Sequence, residues 1–195
     1  MRILTWNIAF LPKKLNILRD PNGVLYNVLD KILDKNPDII NLQEVFDYKL
    51  QNQISNILKL NNYNISCSKK TDIMSKNGLL IGVKDTIINK KELNYSNATS
   101  TGPEILINKG IISVETPNYI IHNTHLQSDN LGYMVLNNCI KKRENQFKEI
   151  GKYLQDFKKE KMNIICGDLN EDYNKLNNFI DLIPFKCKYN KNKII

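Results

Sequence analysis

Four short polar motifs, each closing an apolar run of β character, constrain this chain more than any other feature. They are Thr5-Trp6-Asn7-Ile8, Gln43-Glu44-Val45-Phe46-Asp47, Asn123-Thr124-His125-Leu126-Gln127-Ser128 and Gly167-Asp168-Leu169-Asn170. Strand ends that each deliver one amide, carboxylate or imidazole can converge on a single crevice. Those side chains suit a divalent cation and a phosphate.

The pattern along the chain says how the motifs are spaced. Residues 2–8 read as a strand, and Asp20-Pro21-Asn22-Gly23 reads as a turn. Val24, Leu25, Val28, Leu29, Ile32 and Leu33 then recur at helical spacing up to Asn36-Pro37. Asp38–Leu42 is a short apolar run entering Gln43-Glu44, and Leu50, Ile54, Ile57 and Leu58 mark a second helix. Between Tyr63 and Tyr95 the pieces are short and β-like: Asn64–Cys67, Leu79–Val83 and Ile87–Leu93. A polar loop from Ser96 to Glu104 leads to strands Gly110–Glu115 and Tyr119–Asn123, joined by a hairpin turn at Thr116-Pro117-Asn118. Leu136, Ile140, Phe147, Ile150, Leu154 and Phe157 trace a long amphipathic helix with Lys141, Lys142, Lys148, Lys152 and Lys158 on its other face. Met162–Cys166 is a further buried strand, and a short helix is expected from Tyr173 to Ile183. With no repeat and no linker, the 195 residues are expected to form one α/β domain containing substantial antiparallel sheet.

Composition narrows the partners. A net charge of +8 favours anionic ones, although a chain this rich in Asn, Lys and Ile reaches that charge through nucleotide bias alone. Met1 runs straight into the first strand without signal-peptide character, and no apolar stretch is long enough to span a bilayer, so a cytoplasmic protein is expected. Cys67, Cys139, Cys166 and Cys187 are scattered without metal-type spacing and read as reduced, mostly buried thiols.

Taken singly, each motif has a plain structural reading. Glu44 could be an N-cap or first-turn acid of the helix that follows. The Gly167-Asp168 turn is a common strand ending, and His125 at a strand end could be structural. His122, on the opposite face from His125, reads as a strand-surface or packed residue. Together, an Asn, a Glu, a His and an Asp-x-Asn in this order, each after a predicted strand, point to one metal-assisted site.

In these residues the chain resembles the endonuclease/exonuclease/phosphatase superfamily, the DNase I-like fold, and within it the neutral sphingomyelinase branch. Gln43-Glu44-Val45-Phe46-Asp47, Lys109-Gly110, Thr124–Ser128, Arg143 with Gln146, and Gly167–Asn170 carry the likeness across residues 2–171. The resemblance implies a four-layer α-β-β-α sandwich. It also implies that Glu44 binds a catalytic Mg²⁺ or Mn²⁺ with Asn7 beside it. His125 would contact and stabilise the phosphoryl oxygens. Asp168 would orient or activate the attacking water, and Asn170 would bind the phosphate. The activity implied is phosphodiester hydrolysis, with a phospholipid headgroup as first substrate class and peripheral membrane contact. A nuclease on DNA or RNA and a weakened or inactive family remnant are the alternatives. One departure stands out. The family places an Asp-His pair and further strands of the second sheet after Gly-Asp-x-Asn, whereas no histidine follows His125 here. A C-terminally shortened domain is therefore expected, through truncation, loss of activity, or a base supplied from elsewhere such as a partner chain. Oligomeric state is left open.

Overall fold

The computed structural model describes residues 1–10, 21–69, 75–96, 108–129, 136–157 and 160–171. Eight strands and three helices occur among them. In chain order they are β1 (Ile3–Phe10), α1 (Pro21–Lys35), β2 (Ile39–Val45), α2 (Tyr48–Leu60), β3 (Asn64–Cys67), β4 (Leu80–Val83), β5 (Asn89–Asn94), β6 (Gly110–Glu115), β7 (Tyr119–His125), α3 (Leu136–Leu154) and β8 (Met162–Asp168).

Local chemistry explains the helices. Helix α1 starts at Pro21, so Pro21–Gly23 open a helix and do not form the expected turn. Proline suits a first helical turn because its absent N–H would have no intrahelical partner there. Leu25, Val28, Leu29 and Ile32 bury one stripe of the helix. Asn36 ends it at φ 44°, donating its N–H to the carbonyls of Ile32 and Leu33 before Pro37. Helix α2 is capped by Asp47, whose carboxylate accepts from the N–H groups of Lys49 (2.9 Å) and Leu50 (3.1 Å). Glu44 is therefore not the cap. The expected Ser96–Glu104 loop lies largely outside the described residues, and the expected Tyr173–Ile183 helix lies wholly outside them.

The strands form two four-stranded sheets, in the orders β1-β2-β4-β3 and β5-β6-β7-β8. Each contains one parallel pair, β1/β2 and β7/β8, and antiparallel pairs elsewhere. A parallel pair needs a long crossover, and α1 and α3 supply it within β1-α1-β2 and β7-α3-β8. Three apolar clusters fill the spaces between layers. Ile8, Ile40, Leu42 and Leu80 pack on α1 and α2. Ile39, Ile81, Val114 and Ile121 pack between the sheets. Ile111, Phe147, Ile150 and Leu154 join the second sheet to α3. The architecture is the expected four-layer α-β-β-α sandwich. Among the described residues no helix is long and apolar enough to cross a membrane.

The two parallel pairs also meet each other, since β1 and β8 are in contact across the sandwich. Within the second sheet, the end of β8 lies close against β7. Gly167 has φ +147°, and a Cβ there would come within 2.0 Å of the Thr124 carbonyl oxygen. Gly167→Ala is expected to lower folding stability by about 2–3 kcal/mol, read as a shift of the urea midpoint, because both backbone strain and overpacking oppose it.

Candidate active site

All four motifs lie at the carboxyl ends of the two parallel pairs. Asn7 ends the regular part of β1, Glu44 lies one residue before the end of β2, His125 ends β7 and Asp168 ends β8. Strand register brings Asn7 beside Gln43, and His125 beside both Gly110 and Asp168. Carboxyl ends of parallel strands are where open α/β sheets bind ligands.

Two backbone departures aim the side chains. Alternation along β2 sends Ile40 and Leu42 to the helices, and Ile39, Asn41 and Gln43 to the space between the sheets. Glu44 should then face the helices, but it adopts φ 59°. This left-handed residue breaks the alternation, so Gln43 and Glu44 fall together between Leu42 and Val45, both of which pack in the helix-side core. Opposite it, Ala9 has φ 51°, and the β1–β2 register slips between Asn7 and Phe10. The Ala9 N–H donates to Asn7 Oδ1 at 3.1 Å, which fixes the Asn7 amide. A non-glycine residue in this region carries strain, and such strain collects at functional sites.

The side chains that result form one cluster. Asn7 Nδ2 donates to Asp168 Oδ2 at 2.8 Å. His125 Nε2 lies 3.7 Å from Glu44 Oε1 and 3.9 Å from Asp168 Oδ2. The imidazole is buried, while the Glu44 and Asp168 side chains keep 24% and 28% of their exposure, so both carboxylates border solvent. Asn170, with φ 48°, is placed by its N–H donating to Asp168 Oδ1 (3.0 Å) and its Nδ2 donating to the Leu126 carbonyl (2.9 Å). Asn7, Glu44, His125, Asp168 and Asn170 thus occupy one place. Asn7 joins it through Asp168, with its amide oxygen turned to the backbone.

Two residues were not assigned a role from sequence. Lys109 is buried and sets its Nζ 3.0 Å from His125 Nε2 and 3.4 Å from Nδ1. A lysine Nζ donates and an unprotonated imidazole nitrogen accepts, so the contact suits a neutral ring. Burial, and then Lys109, push the His125 pKa down, while Asp168 pulls the other way. Asn123 is the second. Its Oδ1 accepts from Gln43 Nε2 (2.7 Å), and its Nδ2 donates to the carbonyls of Leu42 (2.9 Å) and Leu80 (3.0 Å). A lysine before a strand and a polar residue inside an apolar one were the available signals.

His122 stays out of the site, packed as expected on the α3 side of the sheet. It is fully buried, sharing a hydrogen bond with Ser113 Oγ (2.7 Å) and another with Asn163 Oδ1 (3.0 Å). Its ring stands edge-on to Tyr153 and Phe157.

The Endonuclease/Exonuclease/phosphatase family profile matches residues 4–183. The chain belongs to that family. It is a family of phosphoester-hydrolysing enzymes, and among solved structures this chain is similar to sphingomyelinase C from Streptomyces griseocarneus at 18% identity, TM-score 0.80, covering 93% of this chain and 68% of that one. A beta toxin variant from Staphylococcus aureus, solved with bound magnesium ions, aligns at 20% identity and TM-score 0.74, covering 93% and 69%. TDP2 from D. rerio, solved with a single-strand DNA product, aligns at 15% identity and TM-score 0.65, covering 92% and 64%. No curated protein matches the sequence. These structures share the DNase I-like fold with the chain.

Burial holds the His122 pKa down at about 4, against 6.5 for a free imidazole. Unfolded chains therefore bind more protons between those values, so stability contributed by neutral His122 is complete above pH 6.5 and lost as pH falls toward 4. The loss is about 3 kcal/mol over that window. An NMR titration should show His122 neutral at pH 5.5, and denaturant unfolding should show the matching slope. A His122 midpoint near 6.5 would contradict this packing.

Proposed function

We propose that the protein is a divalent-metal-dependent phosphodiesterase of sphingomyelinase type, acting on a phospholipid headgroup. The observation that carries the reading is the convergence of Asn7, Glu44, His125 and Asp168, drawn from both sheets, with Lys109 behind the imidazole.

The donor set fits a hard cation. Glu44, on a left-handed backbone, is a partly exposed carboxylate with His125 Nε2 3.7 Å from its Oε1. Carboxylate oxygens bordering solvent suit Mg²⁺, which keeps several waters and takes one or two carboxylates plus a phosphate. Glu44 would hold the ion, with Asn7 beside it. When bound, the ion supplies a Lewis acid for the phosphoryl oxygens and the departing alkoxide. His125, with Lys109 against its ring, would contact the phosphoryl oxygens, where charge grows in the transition state. Asp168, oriented by Asn7 and by the Asn170 N–H, positions the attacking water, and Asn170 lines the phosphate position.

The lipid substrate class draws support from the Gln43–Asp47 and Thr124–Ser128 motifs. It draws further support from a higher TM-score toward sphingomyelinase C (0.80) than toward TDP2 (0.65). The net charge of +8 and the DNA product bound by that TDP2 favour a nuclease as the second reading. Hydrolysis of sphingomyelin vesicles, duplex and single-stranded DNA and a chromogenic phosphodiester, with and without Mg²⁺, separates the two. The expected result is Mg²⁺-dependent turnover of vesicles that Glu44→Gln lowers on the order of 10²–10³-fold. Preferential DNA cleavage that collapses as salt rises would move the assignment to the nuclease. No turnover of any substrate by folded protein would reject the enzymatic reading.

A further inference from the structure

The largest fully buried side chain among the described residues is an arginine, Arg143 of α3. A buried guanidinium must be paired and hydrogen-bonded, and the partners of Arg143 are informative. Its Nη1 donates to the Gln127 carbonyl (3.0 Å) and to Asp129 Oδ1 (2.6 Å), Nη2 donates to Asp129 Oδ2 at 3.3 Å, and Nε donates to Glu171 Oε2 at 2.9 Å. Gln127–Asp129 form the loop that leaves His125. Glu171 stands in the loop that leaves Asp168 and Asn170.

One turn along the same helix face, Gln146 Oε1 accepts from the Gln127 N–H at 3.0 Å. The two loops are also stitched to each other nearer the site. The Leu126 N–H donates to the Asp168 carbonyl at 2.9 Å, and Asn170 Nδ2 donates to the Leu126 carbonyl at 2.9 Å.

We propose that Arg143 is a positioning residue. It fixes the loop carrying His125 and the loop carrying Asp168 and Asn170 in one relative placement. The catalytic consequence rests on the phosphodiesterase reading, and the placement itself does not.

A role confined to stability is a poor account of this arrangement. Replacing a buried ion pair by apolar groups of similar volume is often neutral or stabilising, because desolvation offsets the attraction. What an arginine adds is a rigid planar fork that meets several acceptors at set angles, which a lysine cannot reproduce. Here the fork faces two chain segments, each leaving a strand end that carries a site residue. A small error in the separation of His125 and Asp168 can cost on the order of 10²-fold in rate.

The test compares Arg143→Lys and Asp129→Asn with the parent chain, and uses Lys148→Ala on the exposed face of α3 as control. Asp129 is 44% exposed in its side chain, so its variant keeps the fold measurable if Arg143→Lys does not fold. The first readout needs no turnover: the ¹H–¹⁵N signals of the His125 imidazole and the Asn170 amide. Both should shift in the two variants while the signals of β3 and β4 stay in place, and the control should leave all of them unchanged. The second readout is kinetic, with kcat falling on the order of 10²-fold and KM staying within about twofold. Changes confined to α3, residues 127–129 and Glu171, with the His125 and Asn170 signals unmoved, would overturn the proposal. A parent chain that hydrolyses nothing would reject the phosphodiesterase reading, and the imidazole and amide signals would still decide the positioning role.

Discussion

The site depends on one cross-sheet contact between two side-chain amides. Gln43 of β2 donates to Asn123 of β7 at 2.7 Å, and Asn123 in turn donates to the carbonyls of Leu42 and Leu80 on the facing sheet. All of this is buried, where an unmet polar group is costly and a satisfied one is directional. Apolar packing between the sheets, through residues such as Ile39, Val114 and Ile121, is non-directional and tolerates a slip of one sheet over the other. The Gln43–Asn123 bond does not. Because Glu44 follows Gln43 and His125 lies two residues beyond Asn123, this bond sets the spacing at which carboxylate and imidazole face each other.

Around that fixed point, the chain uses strain to turn side chains inward. Glu44, Ala9 and Asn170 all take left-handed backbone conformations, and Gly167 takes one that no larger residue could share with Thr124. In a strand of strict alternation, Glu44 would point at α1 and α2, where a carboxylate has no partner. The left-handed turn places it at the solvent border of the inter-sheet space. Asp47 serves as the α2 cap three residues later, which leaves the Glu44 carboxylate out of that role. The same economy appears on the other sheet, where the Asn170 side chain fastens one loop and its N–H orients Asp168.

Much of this was legible in the sequence, and the exceptions have physical causes. Strand ends at Asn7, Glu44, His125 and Asp168 were readable because apolar runs stop at polar residues there. Convergence of those ends was expected from the motifs occurring together and from the family likeness. Glu44 was expected at the site, but the backbone turn that brings it there was not readable, since periodicity predicts the opposite face and a positive φ at glutamate has no local signature. Asn123 was hidden because a single amide in an apolar strand gives no clue that its partners lie on another sheet. Lys109 was noticed only as part of a family likeness, since a lysine at a strand start usually reaches water. The Asp20–Gly23 turn failed because proline and glycine punctuate helices as well as turns, and here Pro21 begins one.

The central claim is that both sheets together build one cation and phosphate site. Its most direct test is to titrate Mn²⁺ into ¹⁵N-labelled protein and map the paramagnetic broadening. The account predicts that broadening appears first at the amides of Asn7, Glu44 and Asp168, residues drawn from both sheets, and that Mg²⁺ reverses it by competition. Broadening that begins at other acidic residues, or that spares one of the two sheets, would contradict it.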